Sequence, residues 1–90
     1  MASYLIGYDL NKPEKDYPDL IQAIKDKFGN RWHNLDSTWI VKSDLTSKEI
    51  RDLLKAHIDK NDELLVVKLT GEAAWTGFSE KASEWLKKNI

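Results

Sequence analysis

Thr38-Trp39-Ile40-Val41-Lys42-Ser43-Asp44-Leu45-Thr46-Ser47-Lys48-Glu49 decides how the rest of the chain is read, because two kinds of structure meet inside it. Thr38 to Lys42 is rich in β-branched and aromatic residues and predicts a strand. Thr46-Ser47-Lys48-Glu49 has the capping-box pattern, in which the Thr46 hydroxyl and the Glu49 carboxylate each satisfy a free backbone amide of the other residue. A helix therefore starts within a few residues of the strand's end. Its apolar stripe is Ile50, Leu53, Leu54 and Ile58, which puts His57 in its last turn. Asp59 to Asp62 ends it before Leu64-Leu65-Val66-Val67-Lys68-Leu69, a run that reads as a buried strand.

Working outward, Arg31 to Leu35 is a second short strand-like stretch, and Asn34 to Ser37 supplies the turn into the stretch at Thr38. Before it, Asp16 is placed to cap a helix carrying Tyr17, Leu20, Ile21, Ile24 and Phe28 at helical spacing, with Gly29 as the stop. Tyr4 to Leu10 mixes aromatic and branched residues without clean alternation, as a central strand covered on both faces does, and ends at Asn11-Lys12-Pro13. At the other end, Ser79 is expected to cap a last helix with Phe78, Ala82, Trp85, Leu86 and Ile90 on one side. The first six elements spell βαββαβ. This predicts an α+β, ferredoxin-like antiparallel sheet with two helices on one face and an added C-terminal helix. The second face then needs a cover, and the candidates are the C-terminal helix with Trp85 or the same face of a second copy.

The 90 residues predict a single domain over 1–90, with a core at about 3–70 and a C-terminal helical extension at about 71–90. Fourteen Lys and Arg against fifteen Asp and Glu leave a net charge of −1, without the basic excess of an autonomous nucleic-acid binder. With no cysteine, disulfides, thiolate metal sites and a cysteine nucleophile are excluded. The four glycines are isolated, so no phosphate-cradling loop exists and ATP or dinucleotide binding is not expected. The start of the chain lacks the basic region and cleavage site of a secretory leader, and no apolar run is long enough to cross a bilayer. A soluble, cytoplasmic protein with no membrane partner is the expectation.

Asp9 follows an apolar strand and precedes a loop. Its carboxylate either caps that loop or serves as a metal ligand or general acid/base, and a symmetric dimer would bring two copies together. His33, between Trp32 and Asn34 with Asp36 nearby, is either an edge-strand residue or a proton donor. Four tryptophans in so short a chain are unusual. Trp39 and Trp85 fall on apolar stripes and are expected to pack. Trp32 and Trp75 have no core partner legible in the sequence, and with Arg31 they are candidates for stacking on bases or anchoring a partner. The glycines flanking Ala73-Ala74-Trp75 favour an exposed loop there.

Three stretches carry a resemblance. They are Tyr4-Leu5-Ile6-Gly7-Tyr8-Asp9-Leu10, Asp36-Ser37-Thr38-Trp39-Ile40-Val41 and Leu69-Thr70-Gly71-Glu72-Ala73-Ala74-Trp75. Through them the chain resembles the small ferredoxin-like proteins grouped with the CRISPR adaptation subunit and the VapD-type ribonucleases, and more particularly the bacterial SinR-like branch. The resemblance spans about residues 3–70. It implies a homodimer of facing sheets and, in some members, Mg²⁺- or Mn²⁺-dependent cleavage of RNA or DNA near paired aspartates; Asp9 is the residue that carries over. Asn11, Lys12, Pro13 and Glu14 stand where the CRISPR subunits often carry arginines. Two functions are expected to compete: a homodimeric metal-dependent nuclease or nucleic-acid binder using Asp9 and His33, and a non-catalytic module that holds a protein partner, such as an accessory of a toxin or defence system.

Overall fold

A computed structural model describes residues 1–10 and 18–90. The expected strand stop at Asn11-Lys12-Pro13, the Asp16 cap and the Tyr17 helix position lie outside the described residues. The elements are β1 (Ala2–Asp9), α1 (Pro18–Lys27), β2 (Arg31–Leu35), β3 (Thr38–Ser43), α2 (Ser47–Lys55), β4 (Glu63–Lys68) and α3 (Glu80–Asn89). The result is an α+β fold with a four-stranded antiparallel sheet in the order β2-β3-β1-β4. This is compatible with a small ferredoxin-like fold. Among the described residues no helix is long and apolar enough to cross a membrane.

The strand registers sort the side chains onto two faces. Ile6 lies opposite Trp39 and Val66, Tyr4 opposite Val41, and Tyr8 opposite Leu64. This first face packs against Leu20, Ala23 and Ile24 of α1 and Ile50 and Leu54 of α2, forming the larger core. On the second face Leu5 lies between Ile40 and Val67, Gly7 between Thr38 and Leu65, and Ile40 beside Trp32. There Trp32 and Ile40 meet Ala82 and Leu86 of α3 in a second, smaller core.

Local signals explain the helix ends. At α2, Thr46 Oγ1 accepts from the Glu49 amide at 3.1 Å and Glu49 Oε1 accepts from the Thr46 amide at 2.9 Å, completing the capping box. Thr46→Ala is expected to cost about 1 kcal/mol, roughly 4–8 °C in Tm for a domain of this size, measurable by thermal melting. At α3, Ser79 Oγ accepts from the Ala82 amide. Exposed on α2, Asp52 pairs with Arg51 at 2.8 Å and Lys48 at 3.0 Å. The Arg51 guanidinium first, then the Lys48 ammonium, hold its carboxyl below the usual carboxylate value. Any stability from this depressed group is present above its unfolded pKa and fades as the pH falls through the folded one; surface exposure and salt keep it small.

Several expectations are corrected. Helix α2 ends at Lys55, so His57 and Ile58 lie beyond it, and the His57 amide donates to the Leu54 carbonyl in the closing turn. Helix α1 ends at Lys27, just before Gly29 as expected, but without a left-handed glycine, a conformation found at Gly71 and Gly77. Arg31 instead turns back on the end of α1, donating to the Phe28 carbonyl at 3.2 Å and the Lys25 carbonyl at 3.5 Å, where a cation meets the helix dipole. The run expected to be a buried strand is β4 at the sheet edge, with Leu65 58% and Val67 41% exposed. A continuous apolar run does not distinguish a strand with two neighbours from one with a single neighbour.

Candidate functional site

Helix α3 rests on β2, β3 and the start of β1, and leaves the remainder of the second face open. The open part crosses the sheet in one row, Leu35, Thr38, Gly7 and Leu65, with Val67 one row above. Leu35 is 47% exposed, and with Leu65 and Val67 it makes up all the exposed large hydrophobics among the described residues apart from Met1. Glycine at position 7 leaves the middle of the row without a side chain, and a Cβ there would make only an ordinary contact with the Leu5 side chain, at 3.6 Å.

This apolar row ends in acid. Asp9 is exposed at the end of β1 and sits directly opposite Glu63, the first residue of β4, on the same face. Both line a shallow depression of about 330 Å³ with Gly7, Tyr8, Leu64 and Leu65. Like charges directly across an antiparallel ladder repel, so a cation held between them would relieve a local cost. Glu63 was missed in the sequence, although the signal existed. Antiparallel pairing of β1 with β4 tends to bring the end of one strand to the start of the other, and the register sets Asp9 opposite Glu63.

The other candidates gather elsewhere. Arg31, Trp32 and His33 line a separate groove of about 330 Å³ between β2 and α3, together with Lys81 and Trp85. Asp9 is in the first depression and His33 in this one, so the two candidates for proton transfer do not share a site. The exposed His33 ring lies flat on Trp39, with centroids 3.7 Å apart and planes 11° from parallel. Its Nε2 is 3.3 Å from the Asp36 carbonyl oxygen. Behind it Trp39 Nε1 donates to the Tyr8 hydroxyl at 3.1 Å.

The expectation that Trp32 lacks a core partner is overturned. Trp32 is 5% exposed, packs edge-on against Phe78 at 5.0 Å and donates its Nε1–H to the Ala82 carbonyl. Its partners lie some 50 residues away in the sequence, beyond any local pattern. Trp75 is half-buried in the second core, not displayed at a loop tip, and its Nε1–H donates to Ser83 Oγ. Trp85 donates to Asn30 Oδ1 at 2.9 Å. Each of the four indole N–H groups thus has an acceptor within the chain.

Among the described residues no group of three or more His, Cys, Asp or Glu side chains converges on a metal position. Mg²⁺ and Mn²⁺ take hard oxygen donors, and one or two protein carboxylates suffice when substrate phosphates complete the shell. Asp9 and Glu63 fit that limited role. No protein-family model, curated protein or solved structure matches the chain.

Proposed function

We propose that the chain is a ferredoxin-like domain that works as a homodimer, joined through the open half of the second sheet face, and that it acts on nucleic acid with a divalent cation at the acidic end of that face. The observation that carries this reading is the continuity of the exposed apolar row with Asp9 and Glu63. A two-fold contact with its axis along the strands would bury Leu35, Leu65 and Val67 against their copies and bring the acidic ends together. Asp9 and Glu63 would hold Mg²⁺ or Mn²⁺ jointly with the phosphate of an RNA or DNA strand. A cation there polarises a phosphodiester and makes its bound water more acidic. The carboxylates' own part is to fix the cation and, through it, the register of the strand. Lys81, in the β2–α3 groove, would contact backbone outside the cleavage point, and Arg31 and the His33 ring would do so from the other side of the β2 edge. Trp32 contributes indirectly, by holding α3 beside that groove.

The test combines a Mg²⁺ or Mn²⁺ titration with cleavage assays on single-stranded RNA and duplex DNA. Asp9→Asn is expected to reduce cleavage about a hundredfold or more while leaving the melting temperature unchanged, since its side chain is exposed. Equal cleavage by wild type and Asp9→Asn would remove Asp9 from the site. The double variant Leu65→Lys/Val67→Lys is expected to be monomeric by light scattering, and a dimer that survives it would move the interface elsewhere.

A second reading, a non-catalytic module holding a protein partner through the same open face, is favoured by the internal use of all four indoles. Trp32 and Trp39, 5% and 1% exposed, have no ring face free to stack on a base. Purified protein that cleaves neither RNA nor DNA with either cation, yet loses a partner on Leu65→Lys/Val67→Lys, would select this reading.

A further inference from the structure

The C-terminal segment is attached to the sheet differently from α1 and α2. The Leu69 amide donates to the Ser3 carbonyl at 2.9 Å, which carries the β1–β4 ladder one residue beyond β4, and there the chain leaves the sheet. Gly71 and Gly77 follow with φ of 102° and 88°, conformations that a residue with a Cβ rarely adopts. Between them Glu72 to Thr76 belongs to no helix or strand.

What holds α3 down is compact and separable. Among the described residues its core has four buried members, Trp32, Ile40, Ala82 and Leu86, against ten in the core on the other face. Its polar attachments to the sheet are side-chain bonds. Trp32 donates to the Ala82 carbonyl, Trp85 to Asn30 Oδ1, Asn30 Nδ2 to Asn89 Oδ1 at 3.5 Å, and Ser3 Oγ to the Asn89 carbonyl. Asn30 takes part in two of them. Lifting α3 breaks all these contacts together and leaves the Ile6, Trp39, Ile24 and Leu54 core on the opposite face intact. The free energy of a local opening is set by the contacts it breaks, so this opening lies below global unfolding.

We propose that residues 70–90 form a strap that opens as a unit about Gly71 while the sheet, α1 and α2 stay folded. Opening joins the surface beneath α3, Trp32 and Ile40, to the already open Leu35, Leu65 and Val67, and so makes the whole second face available. Closure keeps half of that face covered. The strap is thus a built-in control on how much apolar sheet the protein presents. It rests on the strap's own contacts and does not require the dimer or the acidic site.

Native-state hydrogen exchange on the full chain tests this. The hydrogen-bonded amides of α3 are expected to share one opening free energy, lower than that of β1 and β3. Asn30→Ala, which removes two strap contacts on an exposed residue, is expected to speed α3 exchange roughly tenfold and leave β1 and β3 unchanged. Ser3→Ala is the milder companion, with a smaller acceleration confined to the same amides. Exchange of α3 at the rate of β1 and β3, or acceleration of all elements by one factor in both variants, would overturn the strap. Neither result bears on whether Asp9→Asn abolishes cleavage, so the two proposals fail separately.

Discussion

Trp39→Ala is expected to cost about 3–5 kcal/mol, a third or more of the stability of a domain this size. The side chain is 1% exposed near the start of β3, opposite Ile6 on β1. Three losses coincide there: the packed volume, the N–H bond to the Tyr8 hydroxyl, and the floor on which His33 lies. Because Trp39 belongs to the core shared by β1, β3, α1 and α2, the loss should be global, with one cooperative transition at a much lower urea midpoint. Trp39→Phe keeps most of the volume and should lose less than half as much. A midpoint within experimental error of wild type for Trp39→Ala would contradict the core described above.

Trp32→Ala should have the second largest effect, of a different kind. Trp32 is the sheet's main contribution to the second core, and its indole links β2 to α3 through Phe78 and the Ala82 carbonyl. Its removal is expected to release α3 while the larger core persists. Far-UV circular dichroism would lose about one helix's signal, a hydrophobic dye would bind the bared face, and the main transition would shift by less than in Trp39→Ala. The cost is capped by the docking free energy of the strap, since beyond that point α3 simply stays open. A fully unfolded Trp32→Ala variant would mean that the two cores are not separable.

The contrast between these tryptophans shows where sequence reading succeeds and where it stops. Trp39 sits in a stretch of β-formers and was legible as core from its neighbours alone. Trp32 looked unpartnered because its partners, Phe78 and Ala82, arrive from the far end of the chain. The capping box and the Ser79 cap behaved likewise. Thr46 with Glu49, and Ser79, are satisfied within three residues and were readable, whereas Arg31 replaced Gly29 as the group that finishes α1 by reaching back to carbonyls that no pattern marks. The candidate site was half legible. Asp9 stood out at a strand end, but its neighbour Glu63 became visible only once β1 and β4 were paired in register. His33 and Asp9, both candidates by residue type, are placed in different depressions.

By itself the sequence determined the order of strands and helices, the caps that start α2 and α3, and the charge balance that rules out a broadly basic surface. These depend on propensities and hydrogen bonds within one or two turns of chain, where few alternatives compete. Only the tertiary structure decided that β4 is an edge, that α3 covers half of a face, that the tryptophan N–H groups point inward, and that an apolar row ends in two facing carboxylates. Each of those outcomes is a pairing across tens of residues. Such a pairing is selected by the packing of the whole sheet, in which one residue of slip would move every side chain to the opposite face.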